Sequence, residues 1–263
     1  MKKNLCLLLF LAASLPVWSE PTEIKCGLKP LDRSRFHKKS AVTNQTSSEN
    51  WSGYVAAPSL TAPVAGSVSY VAGSWKVPDL SATPDTSYCA IWVGIDGFTS
   101  ATVEQTGTEH DWSNGAQTNY AWFEMYPQGS YEITGFPVNV GDQISARIGY
   151  KGNNIYKMVL TNITQNVTTT IPTADTTSSS GQRSCAEWVV EAPYSGEILP
   201  LADFKLATFN YCSATIEGVT GAINNGKWVE ESIEMVSASG AAEATPSALL
   251  KNGACFQVTW VSE

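Results

Sequence analysis

The chain has 263 residues, 43% of them hydrophobic and 15% charged, with a formal net charge of −8. That length allows one large domain or two small ones, with ample core in either case. An acidic body argues against nucleic-acid binding, which calls for a basic surface.

The first elements are not fold elements. Lys2 and Lys3, followed by the apolar run from Leu5 to Leu15 and by Val17-Trp18-Ser19, form the pattern of a secretory signal cleaved after Ser19. No later stretch has the length and apolarity of a membrane-spanning helix. Residues 1–19 are therefore expected to be removed, and the protein to be exported and soluble, with no membrane partner. Five cysteines remain after cleavage: Cys26, Cys89, Cys185, Cys212 and Cys255. An odd number in an exported chain leaves one unpaired, and Cys26 is the candidate for loss with a removed segment. The other four allow two disulfides, with the pairing open.

Residues 20–49 are polar and basic, and they read as a prosegment and linker. Residues 1–50 carry 8 Lys/Arg against 4 Asp/Glu, a balance of +4; residues 51–263 carry 8 against 20, a balance of −12. A basic leader is attracted to an acidic body near neutral pH, and protonating the carboxylates weakens the attraction. The expectation is an intramolecular inhibitor that acid releases. A solvated, flexible N-terminus is the plain alternative.

From Asn50 to the C-terminus the chain reads as one domain of short strands. "GSVSYVAGSWKVP", "YCAIWVGIDG", "NYAWFEMYP", "DQISARIGY", "YKMVLTNIT", "CAEWVVEA", "LADFKLATF", "KWVEESIEMV" and "CFQVTWV" are rich in Val, Ile, Thr and aromatic residues. Gly, Pro, Asn, Asp and Ser clusters separate them. Only a piece near Pro246 to Leu250 invites a helical turn. The class is all-β, an antiparallel sandwich or barrel.

Three strands share a design. Period two puts Ile91, Val93 and Ile95 on one face, with Trp92, Gly94 and Asp96 on the other. It puts Ala121, Phe123 and Met125 opposite Tyr120, Trp122, Glu124 and Tyr126. In "SCAEWVVEA", Ala186, Trp188, Val190 and Ala192 oppose Glu187, Val189 and Glu191. One side of each strand suits a core. The other mixes large aromatics with carboxylates, which suggests a concave groove for an extended peptide or sugar. The alternative is a face covered by a loop or a second sheet.

Elimination narrows the chemistry. The chain has only two histidines. His37 lies in the leader, and His110, alone in "TEHDW", reads as a surface residue of a loop. No G-x-S-x-G, H-E-x-x-H, C-x-x-C or phosphate-binding glycine motif appears, so no metal or nucleotide cofactor is called for. Carboxylates remain. A glycosidase or lyase would use two, such as Glu124 and Glu187. A peptidase could use one to activate water, with an amide to hold the oxyanion, and Gln105 in "VEQTGTE" is such an amide. A non-catalytic module that binds sugar or peptide is the third reading.

"NWSGYV" (50–55), "WKVP" (75–78), "WVGIDG" (92–97), "QTG" (105–107), "YAWFEMYP" (120–127), "GDQI" (141–144), "AEWVVE" (186–191) and "PLADF" (200–204) together resemble the glutamic peptidases, or eqolisins. They span most of the domain in the family's order. The resemblance implies a β-sandwich of two bent antiparallel sheets with an active-site groove on the concave face. It implies Glu187 as general base and Gln105 as oxyanion donor, working on protein or peptide substrates at acidic pH without a covalent intermediate. Trp92, Asp96 and Glu124 match groove positions, and Trp51, Trp122 and Tyr126 complete the expected substrate-binding set. Phe123 and Met125 stand where the family usually shows Tyr and Trp, and both fall on the core face. Nothing in the sequence calls for a partner subunit, so a monomer is expected.

Overall fold

A computed structural model of the protein describes residues 19–31, 42–44, 46–83, 85–98, 100–174 and 181–262. Residues 1–18 of the expected signal at 1–19, His37 and four basic residues of the leader (Arg33, Arg35, Lys38 and Lys39) lie outside the described residues.

Nineteen strands follow in chain order, with no helix among the described residues: β1 (Thr22–Glu23), β2 (Gly27–Pro30), β3 (Val42–Asn44), β4 (Ser47–Ser48), β5 (Trp51–Ala57), β6 (Val68–Lys76), β7 (Ser87–Ile95), β8 (Val103–Ser113), β9 (Ala116–Tyr126), β10 (Tyr131–Thr134), β11 (Gln143–Tyr150), β12 (Ile155–Asn162), β13 (Val167–Ala174), β14 (Ala186–Glu191), β15 (Leu206–Ile216), β16 (Val219–Gly221), β17 (Val229–Val236), β18 (Ala242–Pro246) and β19 (Phe256–Trp260). The helical turn expected near Pro246 does not form; Pro246 instead ends β18, pairing with Val258.

All strands join one hydrogen-bonded network. One half runs β17–β5–β14–β7–β8–β9–β10–β2, antiparallel throughout. The other runs β13–β12–β11–β6–β15–β19–β18–β17, also antiparallel. β17 belongs to both and is where the network turns. Indoles tie the halves face to face: Trp188 of β14 donates to the Ala72 carbonyl of β6 at 2.8 Å, and Trp75 of β6 donates to Thr108 Oγ1 of β8 at 2.8 Å. The core between them takes the apolar alternate positions, among them Ile91, Val93, Ile95, Ala121, Phe123, Met125 and Trp188.

The structure corrects two expectations, for His110 and for the cysteines. His110 is not a surface loop residue but a fully buried one inside β8. Its partners explain why. Trp75 donates to Thr108 Oγ1, which lies 3.0 Å from His110 Nε2; His110 Nδ1 lies 2.8 Å from Asn119 Oδ1, which also accepts from Gln117. The carboxamide oxygen of Asn119 can only accept, so the neutral ring with its proton on Nδ1 satisfies every contact. The four core-domain cysteines, expected to pair, are free thiols. Cys89 belongs to the inter-sheet core and Cys185 to the cluster on the opposite face, so these two cannot be bridged. Cys212 and Cys255 both contact Asn210, at 3.9 and 3.3 Å.

The leader has more structure than its composition suggests. β1 pairs in parallel with the edge strand β13, and β2 pairs antiparallel with the edge strand β10. It satisfies the exposed edges of both halves, which is the physical reason that a polar, aperiodic stretch forms strands here.

Candidate active site

The site lies on the face of the β17-to-β2 half that points away from the inter-sheet core. Register fixes its layout. Glu187 of β14 stands opposite Gly94 of β7, Gly94 opposite Gln105 of β8, and Gln105 opposite Glu124 of β9. Four strands thus place one carboxylate, a gap, an amide and a second carboxylate in one row. The backbones at Glu187 and Gln105 are two strand spacings apart, about 10 Å. Only a glycine stands between them.

The gap cannot hold a larger residue. A Cβ on Gly94 would come within 2.6 Å of Cζ3 of Trp92 and 3.4 Å of the Gln105 Cβ. The Trp92 ring therefore walls the gap. The adjacent row runs Val189, Trp92, Gly107, Trp122. A Cβ on Gly107 would lie 2.5 Å from the Trp92 Cβ and 2.2 Å from the Ile91 carbonyl, so that indole sits where only glycine admits it. Trp51 of β5 meets Trp92 edge-on, ring centroids 4.8 Å apart at 78°.

Each polar side chain is held. Glu187 Oε1 accepts from the Cys185 thiol at 2.9 Å and from the Phe98 backbone amide at 3.3 Å. Glu187 Oε2 is buried without a hydrogen-bond partner among the described residues. Gln105 Nε2 donates to Glu124 Oε2 at 2.8 Å. Glu191, which alternation left equivalent to Glu187, accepts from Trp92 Nε1 at 2.8 Å and from Asn50 Nδ2 at 3.3 Å. The two acids of one strand face are thereby told apart: Glu191 fixes the Trp92 wall, and Glu187 keeps one oxygen uncommitted. Burial pushes the Glu187 carboxyl well above the usual carboxylate range. The Cys185 and Phe98 donors oppose that rise, and the charge of Asp96 adds to it.

Glu187, Gln105, Glu124, Trp92, Trp122 and Trp51 are brought together. Tyr126 packs on their aromatic cluster, where burial and the Glu124 charge raise its hydroxyl. Asp96 lies just past β7, near enough for its charge to act on Glu187, but its own oxygens are committed. Its carboxylate accepts from the Ser184 amide and hydroxyl, both at 2.8 Å, and from the Arg183 amide, so it anchors the segment entering β14. Cys185 and Glu109 are site-face residues that residue chemistry did not single out. Period two along "VEQTGTE" does put Glu109 on the Gln105 face.

The expected open groove is closed. Glu187, Gln105, Glu124 and Trp92 have no exposed surface. Leu31 from the leader, Leu60 and Phe98 pack on their cluster.

A sequence profile of the Peptidase A4 family matches residues 49–247. The chain belongs to that family. It is 31% identical over 202 residues to aspergillopepsin-2 of Aspergillus niger, 70% of each chain being covered. It is 28% identical over 210 residues to scytalidopepsin B of Scytalidium lignicola, covering 76% of this chain and 75% of that one. The fold matches a crystal structure of scytalido-glutamic peptidase with a transition state analogue inhibitor, at TM-score 0.67 and 22% identity, over 81% of this chain and 98% of that one. It also matches aspergilloglutamic peptidase from Aspergillus niger, at TM-score 0.60 and 25% identity, over 66% and 99%. This A4 peptidase is therefore a glutamic peptidase by family, which sets aside the glycosidase and the non-catalytic readings.

Proposed function

We propose that the chain is an exported acid endopeptidase, made as a zymogen, in which Glu187 activates water and Gln105 stabilises the oxyanion. The observation that carries this reading is the row Glu187–Gly94–Gln105, a buried acid with one uncommitted oxygen and an amide donor on either side of a gap. Ionised Glu187 takes a proton from a water in that gap, and the water oxygen attacks the scissile carbonyl. The Gln105 amide donates to the carbonyl oxygen as negative charge develops there. Glu187 then passes the proton to the leaving amine, and the C–N bond breaks. Trp92, Trp122 and Trp51 supply the apolar walls for an extended peptide.

The zymogen reading rests on the leader. β2 extends the catalytic half by one strand, and Leu31, directly after it, packs on the site cluster. The Lys29–Glu132 ion pair at 3.1 Å is solvent-exposed and contributes little. Strand pairing and apolar contact hold the described part of the leader more than charge does. A covered site excludes water and keeps Glu187 protonated, and both effects hold the enzyme off.

Incubation of the purified chain at mildly acidic pH with a denatured protein tests the proposal. Proteolysis should appear together with a new N-terminus near residues 40–50. An active sample with an unchanged N-terminus would contradict the zymogen reading.

A further inference from the structure

The proposed base is held by a thiol that takes no part in the proton transfers of the proposed reaction. Cys185 precedes β14 by one residue and shares the Glu187 face of the strand. It is fully buried, in the cluster with Trp92, Trp122 and Val189. It forms no disulfide, and Cys89 lies on the other face of the sheet. Its Sγ lies 2.9 Å from Glu187 Oε1, closer than the Phe98 amide.

We propose that Cys185 is a positioning residue of the peptidase reaction: its S–H donates to Glu187 Oε1 and so presents Oε2 to the water over Gly94. A carboxylate on two or more rotatable bonds has two equivalent oxygens. Two donors on Oε1, the thiol at 2.9 Å and the longer Phe98 amide at 3.3 Å, break that equivalence and fix the carboxylate plane. The second observation is the other oxygen itself, which is buried and has no hydrogen-bond partner among the described residues. A donor to the charged form also favours ionisation, so the thiol extends the working range of the base toward acid. Among the described residues, the titratable groups on the Glu187 face include Asp96 past the end of β7, Glu124 beyond Gln105, Glu109 further along β8, Tyr126 on β9, Glu191 along β14, and Glu231 beyond Val55 on β17. Each can carry only negative charge, and that of Asp96 opposes ionisation of Glu187. Cys185 and the Phe98 amide are the donors that counter them.

The inference rests on Glu187 being the base, and the test separates the two. The matured wild type, Cys185→Ala, Cys185→Ser and Glu187→Gln are compared by the pH dependence of kcat/KM on a peptide substrate. Loss of activity in Glu187→Gln keeps the base reading; retained activity overturns that reading and this inference with it. With the base reading kept, Cys185→Ala should move the acid limb up by about half a unit to one unit, a three- to tenfold loss on that limb. Activity should recover at higher pH and KM should stay nearly unchanged. Cys185→Ser should keep the limb at or below its wild-type position. A Cys185→Ala limb that superimposes on the wild type, as a packing role alone predicts, overturns the proposal. Should Cys185→Ala fail to fold, Cys185→Ser decides by itself: a limb above the wild type overturns the proposal, and a limb at or below it supports it.

Discussion

Gln105 donates its side-chain amide to Glu124 at 2.8 Å, and both side chains are buried. An amide nitrogen carries two hydrogens, and committing one to Glu124 sets the direction of the other. That direction is what an oxyanion donor needs, because its effect depends on geometry at the transition state. Glu124→Leu should therefore lower kcat by about tenfold or more and leave KM nearly unchanged, while Glu124→Gln, which retains an acceptor, should lose less. Steady-state kinetics on one peptide substrate checks both.

Gly94→Ala addresses the gap directly. The added Cβ meets the Trp92 ring at 2.6 Å, and the ring is fully buried with its nitrogen tied to Glu191. Either the indole moves or the strands do, and both disturb the row between Glu187 and Gln105. A displacement of the order of 1 Å at reacting groups costs about 100-fold in rate. Gly94→Ala should show a loss of that size in kcat/KM; activity within twofold of the wild type would refute the layout.

Two buried groups give opposite pH slopes to stability. Burial holds the His110 ring down at about 4. Neutral His110 stabilises the fold fully above its unfolded value of about 6.5, and that contribution is lost as pH falls toward 4. The sum is on the order of 3 kcal/mol. Protonating Nε2 would place a hydrogen against Thr108 Oγ1, which already accepts from Trp75. Denaturant unfolding at pH 7 and pH 4 should show a smaller loss on acidification for His110→Gln than for the wild type.

Glu187 runs the other way. Its carboxyl is raised by burial, so its contribution is complete below the unfolded value of about 4.3 and is lost as pH rises through the raised value. Glu187→Gln removes that loss. The melting temperature of Glu187→Gln should match the wild type near pH 4 and exceed it near pH 7, as thermal melts of the intact chain will show.

Much of the site was legible in the sequence because period two is a geometric rule. It separated Trp92 from Ile91 and Glu187 from Trp188, and the structure keeps those faces apart. Partnerships across strands were not legible. Nothing local to "AEWVVE" says that Glu191 receives the Trp92 indole, since the two lie 99 positions apart. His110 looked like a surface residue because its neighbours in "TEHDW" are polar; the partners that make it a satisfied core residue, Trp75 of β6 and Asn119 and Gln117 of β9, come from other strands. The leader strands were hidden for another reason. Their pairing is dictated by the free edges of β10 and β13 and leaves no periodic trace in a stretch as short as Gly27–Pro30.

The most direct measurement is kcat/KM of matured Glu187→Gln and Gln105→Ala on a peptide substrate at acidic pH, beside the wild type. Gln is nearly isosteric with Glu but cannot accept the water proton, and Ala removes the oxyanion donor. The account predicts background activity for Glu187→Gln and a loss of about 10²–10³-fold for Gln105→Ala. Wild-type activity in either variant would contradict it.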